Sequence, residues 1–387
     1  MFKLINMPND IIVDILMRLP LKSLCRLRCV SKTCLNMVDS PFFTPLHTAR
    51  LLKFSTDYYA AATASATASN VPQLGMLQYS SSSMQWQPLA YNEKRGLTRI
   101  KHALPISELF ISRYYEVDFV FCNLFFLKVS RFGFWNPNSC CLVNPLRGEV
   151  LKIPAVCPTN HEYWHYWVDR FGMGFDSTTN TYKLVCVSWN PANDHVTAYI
   201  YVLGTHSSSW RKIQSVPPRC LSKKNVCAYG DMHWLVEGSH VNIAGGGRHI
   251  ISFDFKKEEF CWTPHPTLKG LHRYSRLLED FHLLNMKGSM AMVDANSLEE
   301  YIHIWVLKSY LKKEWALDYK INTQTLVGYP EGGLRKYTCY EWEHGIAIHK
   351  GDMCYFLDLR CDSLKCVKGG FENIYSFTGS LISLKKL

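Results

Sequence analysis

The sequence lacks the features that define several classes of protein. None of its 15 cysteines belongs to a Cys-x-x-Cys motif or has zinc-finger spacing, so we expect free thiols rather than disulfides or structural zinc. The opening residues, MFKLINMPND, lack the apolar core of a secretory signal. The longest apolar run, 119–129, is too short to cross a bilayer. These absences predict a cytoplasmic or nuclear protein with no membrane partner.

Acidic charge is also scarce, because 43 Lys and Arg residues oppose 32 Asp and Glu residues and leave a net charge of +11. Residues 1–53 carry eight Lys or Arg and three Asp, and thus +5 of that total. This basic segment fits an acidic protein partner. The remaining charge shows no basic run interleaved with aromatics, so we expect no nucleic-acid partner. Apolar content of 47% and aromatic content of 13% predict a folded, β-rich body.

Residues 7–45 contain three short segments with the apolar spacing of helix faces. The first ends at Pro20, and the third starts after Ser31, whose hydroxyl can cap a helix, and ends before Pro41. Their apolar positions are Ile11, Ile12, Ile15, Leu16, Leu19, Leu21, Leu24, Leu27, Val30, Cys34, Leu35 and Val38. Helices this short cannot enclose a core of their own, so we expect them to need a partner surface.

The same segment resembles the F-box motif, and its Arg-x-Arg-Cys-Val-Ser-Lys run resembles the plant form. The matching residues are Pro8, Asp10, Ile11, Ile15, Leu16, Leu19, Pro20, Leu21, Lys22, Ser23, Leu24, Arg26, Arg28, Cys29, Val30, Ser31 and Lys32. Met7 replaces the usual leucine, and Cys34 replaces the usual tryptophan and so removes an aromatic anchor. The resemblance implies binding to Skp1, the adaptor of cullin–RING ubiquitin ligases. The alternative is a helical subdomain packed on its own chain.

The predicted Skp1 contacts follow from this resemblance. They are Pro8, Ile11, Ile12, Ile15, Leu16, Leu19, Pro20, Leu24, Leu27 and Val30.

From about residue 119 the chain repeats a pattern of two strand-like runs, a turn and a Trp or Phe before a proline. The repeat recurs about every 45 residues, and this period of short strands predicts a β-propeller. We expect Trp210, Trp262 and Trp315 to pack between neighbouring blades. Strands at 51–54 and within 75–111, including Gly75–Tyr79, would complete the ring.

This body resembles the F-box-associated domain of plant F-box proteins, a divergent relative of kelch repeats. The residues that carry the resemblance lie at 134–137, 144–149, 153–154 and 172–185. The family's Cys-Asn-Gly turn appears here as Cys122-Asn123-Leu124, without the glycine.

The predicted fold is therefore an α+β multidomain chain, in which a three-helix F-box precedes an all-β, kelch-like propeller. The predicted domains are 1–48 for the F-box, 49–114 for the first propeller strands with a low-complexity insertion at 55–83, and 115–387 for target binding.

Two motifs and one combination of residue types bear on possible chemistry. His161 and His165 belong to an H-E-x-x-H sequence, but Pro158 and the surrounding aromatics favour a loop over a zinc-binding helix. In that loop Tyr163, Trp164 and Trp167 are candidates for contacting a target protein. Residues 245–248, Gly-Gly-Gly-Arg, fit a hairpin tip better than an anion cradle. Copper chemistry of the galactose-oxidase type needs a convergence of Tyr, His and Cys that abundance alone does not predict.

Together the two resemblances imply a non-catalytic adaptor without metal or cofactor. It would be the substrate-recognition subunit of a Skp1–cullin–F-box ubiquitin ligase, holding an unidentified target protein on its propeller. Two alternatives stay open: a Skp1-bound scaffold outside the ligase, and a metal-dependent propeller enzyme.

Overall fold

The computed structural model of the chain describes residues 8–19, 21–40, 43–44, 46–48, 74–80, 85–92, 96–99, 115–129, 140–145, 147–156, 168–190, 194–204, 209–236, 250–266, 280–286, 289–295, 300–326, 337–342, 345–350, 353–359, 363–368, 374–377 and 381–385. Over these ranges the chain forms three short helices followed by six four-stranded sheets. This is the helical segment and β-propeller that the sequence predicts. The relationship to kelch repeats and the domain limits stay predictions.

The helices are α1 (Asn9–Met17), α2 (Leu21–Arg28) and α3 (Lys32–Val38). The predicted cap of the third helix is present, since the Ser31 hydroxyl accepts the backbone N–H of Cys34 at 3.1 Å. Pro20, which was expected to end the first helix, lies outside the described residues. None of the described helices is long and apolar enough to span a membrane.

Each sheet is antiparallel, and five of the six use four consecutive strands. Sheet 2 contains β4 (Tyr115–Phe121), β5 (Leu124–Val129), β6 (Cys140–Asn144) and β7 (Glu149–Ile153). Sheet 3 contains β8 (Val168–Asp176), β9 (Thr181–Asn190), β10 (His195–Val202) and β11 (Arg211–Ile213). Sheet 4 contains β12 (Leu221–Ala228), β13 (Asp231–Val236), β14 (Ile250–Asp254) and β15 (Glu259–Thr263). Sheet 5 contains β16 (Phe281–Met286), β17 (Ser289–Asp294), β18 (Tyr301–Ser309) and β19 (Glu314–Asn322). Sheet 6 contains β20 (Thr338–Trp342), β21 (Gly345–Lys350), β22 (Met353–Asp358) and β23 (Ser363–Lys368).

Sheet 1 joins the two ends of the propeller. It contains β1 (Leu74–Ser80), β2 (Gln85–Asn92), β3 (Gly96–Arg99) and β24 (Ile374–Phe377). Strand β24 pairs with β1, with Gly75 opposite Phe377. The predicted strand at Gly75–Tyr79 is therefore present and takes part in closing the ring, whereas residues 51–54 lie outside the described ranges.

The first strands of sheets 2 to 6 lie beside one another around the centre, and β24 of sheet 1 lies beside β20 of sheet 6. In the centre, the Asp118 carboxylate accepts the Phe171 backbone N–H at 3.1 Å, and the Asp118 carbonyl accepts the Asn225 side-chain amide at 2.9 Å. These residues lie near the middle of β4, β8 and β12, so the two hydrogen bonds join the first strands of sheets 2, 3 and 4.

Tryptophan side chains lie between neighbouring sheets at positions that the sequence predicts. The Trp210 indole N–H donates to the Pro154 carbonyl at 2.8 Å, and the Trp315 indole N–H donates to the Pro264 carbonyl at 2.7 Å. Trp210 directly precedes β11 of sheet 3, and Trp315 lies in β19 of sheet 5; in each pair the proline directly follows the outer strand of the preceding sheet. Trp262 packs, partly buried, against the main core.

The turn that lacks the family glycine is still a two-residue hairpin. Cys122 and Asn123 take φ values of 46° and 62°, so both adopt the left-handed conformation that such a turn requires. Phe121 pairs with Leu124 directly across the turn. Asparagine tolerates this conformation better than cysteine does, so the strain of the turn falls mainly on Cys122.

Candidate functional site

Part of the predicted contact surface on the helices is buried inside this chain. The exposed fractions of Ile12, Leu16 and Leu24 are 2%, 5% and 0%. They form one apolar cluster with Val38, Phe43 and Leu381. Leu19 and Leu27 pack against this cluster and are half-buried. These side chains therefore stabilise the helical segment itself.

A second set of predicted residues remains accessible. Ile11 is 47% exposed, Ile15 is 43% exposed and Val30 is 70% exposed. Ile11 and Ile15 lie four residues apart on α1 and so share one face of the helix. Pro8, at the start of that helix, is also exposed. The helices thus have an inner face covered by their own chain and an outer apolar face open to another protein.

One carboxylate links this helical segment to the propeller. Asp39, directly after α3, pairs with Arg28 of α2 at 2.8 Å and with Arg147 of sheet 2 at 3.4 Å. Burial alone would raise the pKa of Asp39, but hydrogen bonds and charge from the two arginines lower it below its ordinary value. Asp39 is therefore held ionised between two cations from different parts of the chain.

The C-terminal segment is fastened at the same place. Arg147 donates to Glu149 at 2.9 Å, and the other oxygen of Glu149 accepts the Leu384 backbone N–H at 2.6 Å. The Asn144 amide donates to the Ile382 carbonyl at 2.7 Å. The Asn-Pro-Leu-Arg-Gly-Glu motif of the sequence therefore clamps both the helices and the C-terminal segment, whose Leu381 completes the helical core.

A further contact lies one sheet away, where the hydroxyls of Thr48 and Tyr182 are 2.8 Å apart in a buried position. Together with the Asp39 pairs, this bond attaches the helical segment to sheets 2 and 3 through polar groups shielded from water. Polar contacts that are buried and paired in this way have fixed geometry, so the helices hold a defined orientation on the propeller.

The Asp-Ser-Thr-Thr-Asn turn of sheet 3 has an architectural role. Lys183 donates to Asp176 at 2.9 Å, to Glu258 at 2.8 Å and to the Phe255 carbonyl at 3.1 Å, which ties sheet 3 to sheet 4. Burial would raise the pKa of Asp176, but hydrogen bonds from Thr178 and Lys183 outweigh it and hold the pKa well below its usual range. Asp176 is therefore a buried structural anion.

The remaining sequence candidates are not described. The described residues do not include the H-E-x-x-H loop or residues 245–248. The loop residues concerned are His161, Tyr163, Trp164, His165 and Trp167. Within the described part of the chain, no group of three or more His, Cys, Asp or Glu side chains is placed to hold a metal ion. The predicted target-contacting residues stay predictions.

Sequence reasoning missed the link between Asp39 and the propeller. The only available signal was indirect: Asn144, Arg147 and Glu149 stand in a motif that resembles a family pattern, but the sequence does not show what they contact. Leu381 gave no signal at all, because a single leucine in a short apolar tail has many possible partners.

Comparison with known proteins places these features in context. The family described as an F-box associated beta propeller domain matches residues 121–327, and the F-box domain family matches residues 4–46. F-box protein At5g65850 of Arabidopsis thaliana is 25% identical over 329 residues, covering 81% of this chain and 70% of that protein. Putative F-box protein At1g53370 of the same plant is 24% identical over 316 residues, covering 80% of this chain and 73% of that protein.

Solved structures give weaker similarity. An oligogalacturonate lyase in complex with manganese is 9% identical with a TM-score of 0.37, covering 73% of this chain and 71% of that one. The Dos1 propeller is 8% identical with a TM-score of 0.34, covering 79% of this chain and 70% of that one. Similarity at this level carries no information about the chemistry of this chain.

Proposed function

Since the chain belongs to the F-box proteins with an F-box-associated β-propeller domain, we propose that it is the substrate-recognition subunit of a Skp1–cullin–F-box ubiquitin ligase. The helical segment would bind Skp1 and, through it, the cullin–RING assembly. The propeller would hold the target protein.

The observation that carries this proposal is the division of the apolar helix residues. A subdomain that packed only on its own chain would bury its apolar side chains, as Leu24 is buried. Instead Ile11, Ile15 and Val30 remain exposed on the outside of a well-formed helical core. Exposed apolar side chains on a basic segment fit an acidic partner that supplies an apolar surface.

The proposed mechanism requires no reacting side chain from this protein. Bound together, the adaptor and the target would bring lysines of the target close to a ubiquitin-charged conjugating enzyme. Proximity raises the effective concentration of the reacting groups and converts a bimolecular encounter into an intramolecular step. The buried attachment through Asp39 and Arg147 supports this role, because a fixed helix–propeller geometry holds the target in one orientation.

The test is co-purification of Skp1 and the cullin with the full chain carrying Ile15→Asp. We expect loss of Skp1 while the thermal unfolding temperature is unchanged, since Ile15 is exposed. Val216→Asp on the propeller is the matched control, because Val216 is 41% exposed and should be neutral for Skp1 binding. Leu16→Asp and Leu24→Asp are unsuitable, because a buried charge would unfold the helices.

Retention of Skp1 by the Ile15→Asp protein would overturn the assignment of the contact surface. A wild-type protein that binds Skp1 but recruits no cullin and supports no ubiquitin transfer would instead indicate a scaffold outside the ligase.

A further inference from the structure

Two hairpins on neighbouring sheets 4 and 5 present four lysines around one exposed leucine. Leu311, in the turn between β18 and β19, is 93% exposed. Beside it are Lys312 and Lys313, and the turn between β14 and β15 presents Lys256 and Lys257. These five residues are called the Leu311 surface.

The hairpin that carries Leu311 has a rigid base. The Tyr310 ring stacks on Tyr229 with centroids 4.7 Å apart, and the Tyr310 hydroxyl donates to Asp231 at 3.0 Å. The Lys313 ammonium lies 3.4 Å from the centroid of the Tyr310 ring. A hairpin held at its base in this way loses little conformational entropy when it binds.

The two hairpins are also coupled to each other. Asp231, which accepts the Tyr310 hydroxyl, also accepts the Phe255 backbone N–H from the turn between β14 and β15. In that turn the Asp254 carboxylate accepts the backbone N–H groups of Lys256 and Lys257 at 2.8 and 3.0 Å. The backbones of the lysines are therefore fixed, and their side chains extend into solvent.

The charge of this surface is uneven. Lys256, Lys257 and Lys312 are exposed, and none of them forms an ion pair with any described residue. Glu259 and Glu314 are exposed on the strands that follow. A single exposed leucine is ordinary on a protein surface. A leucine on a rigid hairpin with unpaired lysines on both sides provides an apolar anchor next to cations that carboxylates of a partner can pair with.

We propose that the Leu311 surface binds an acidic, extended segment of the target protein, with one apolar side chain of that segment packed on Leu311. This inference rests on the proposed function, because it names the class of target. Complementary charge would steer the segment to the lysines, and Leu311 would add the apolar contact that distinguishes it from other polyanions.

Nucleic acid fits this surface less well. Single strands bind where bases stack on open aromatic rings. Here one face of Tyr310 is covered by Tyr229 and the ring is also capped by Lys313, so it offers no open stacking platform. The attachment of the helical segment through Arg147 and Tyr182 lies on sheets 2 and 3, which leaves this surface on sheets 4 and 5 separate from it.

The test uses the full chain without Skp1 and a fluorescein-labelled peptide of Asp and Glu with one central Phe. We expect salt-sensitive binding by fluorescence anisotropy, weakened about tenfold either by Leu311→Ser or by replacing the Phe with Ala. Lys256→Gln and Lys312→Gln together should weaken binding and flatten its salt dependence. Lys212→Gln, an exposed lysine on β11, is the matched control and should change neither.

No binding of the peptide, or equal binding by the Leu311→Ser protein, would overturn the proposal. It would also be overturned if a single-stranded RNA competed with the peptide as well as unlabelled peptide does, and did so equally on the wild-type and Leu311→Ser proteins. The proposed function is read out separately. Leu311→Ser should retain Skp1, whereas Ile15→Asp should lose Skp1 and retain the peptide. If the proposal for one surface is wrong, the measurement on the other surface therefore still gives a clear result.

Discussion

Asp39 after the third helix and Arg147 in the propeller form an ion pair, with Oδ1 and Nη1 3.4 Å apart and both side chains largely shielded from solvent. The pair joins two parts of the chain that are 108 residues apart in sequence. Because Arg147 also binds Glu149, which holds the C-terminal segment, one guanidinium connects three parts of the molecule.

Arg147→Met should therefore loosen the helical segment without unfolding the propeller. We expect faster amide hydrogen exchange at residues 9–38 and at 381–385, because Asp39 and Glu149 lose their shared cation. Exchange in sheets 3 to 5 should be unchanged. The measurement is hydrogen–deuterium exchange with mass spectrometry on the full chain.

Arg18→Met is the control for this change. Arg18 pairs with Asp14 on the outside of α1, where both side chains are exposed, so its loss should leave exchange nearly unaltered. If Arg147→Met left exchange of the helices at the wild-type level, the ion pair would not hold the segment in place.

The buried anion Asp176 gives a second prediction. Asp176→Asn would leave the buried Lys183 ammonium with Glu258 as its remaining charged partner. We expect a loss of about 2–4 kcal/mol in the free energy of unfolding, since removing one member of a buried ionic network leaves a poorly compensated charge. Urea unfolding measures it. Glu259→Gln, an exposed change in the same region, should cost less than about 0.5 kcal/mol, and equal effects would contradict the buried network.

Several parts of the fold follow from the sequence alone. Prolines and apolar spacing mark the three helices, and turn residues mark the hairpins of sheets 2 to 6. The position of Trp210 and Trp315 between neighbouring sheets was expected from the repeat, but their hydrogen bonds to Pro154 and Pro264 were not.

Other parts depend on contacts that no local pattern reveals. Ile12 and Ile15 are chemically equivalent in the sequence, yet one is 2% and the other 43% exposed. Ile12 belongs to the apolar cluster that the helices form with Leu381, which is far away in the chain, whereas Ile15 lies outside this cluster. Lys183 likewise needs Glu258 from the next sheet before its role is clear.

The glycines of β8 give a third prediction. Because they lack side chains, Gly172 and Gly174 let side chains of sheet 4 approach the strand. A Cβ on Gly174 would lie 2.0 Å from a ring carbon of Phe255, and one on Gly172 would lie 2.7 Å from Met232 and Trp234. Gly174→Ala should therefore destabilise the protein by roughly 3 kcal/mol, because the buried Phe255 ring has little room to move.

Thermal and urea unfolding measure the effect of Gly174→Ala. Phe255→Leu combined with Gly174→Ala should recover part of the loss, since the smaller side chain relieves the overlap. A Gly174→Ala protein as stable as wild type would show that the ring can shift without cost.

The dependence of stability on pH provides the last prediction, because burial shifts the pKa values of Glu341 and His282 in opposite directions. Burial raises the pKa of Glu341 to about 7, and Asn285 donates its backbone N–H to that carboxyl group at 3.2 Å. Burial lowers the pKa of His282 to about 3, and the His282 ring nitrogen Nε2 lies 3.1 Å from the Tyr337 carbonyl. In sheet 4, burial likewise raises the pKa of Asp231 to about 7 and lowers the pKa of His233 to about 3.

Between about pH 4.5 and 7 the folded protein holds a proton on Glu341 that the unfolded chain releases, so this group makes stability fall as pH rises. Between about pH 3 and 6.5 the unfolded chain holds a proton on His282 that the folded protein excludes, so this group makes stability rise with pH. In wild type the two trends largely cancel where the windows overlap.

Single substitutions should expose each trend. Glu341→Gln removes the falling contribution, so its stability relative to wild type should increase with pH between about 4.5 and 7, by up to about 1.4 kcal/mol per pH unit. His282→Gln removes the rising contribution, so its stability relative to wild type should decrease with pH between about 3 and 6.5. Urea unfolding across this range measures both. Curves that stayed parallel to wild type would show that neither group changes its protonation on unfolding in the way its burial requires.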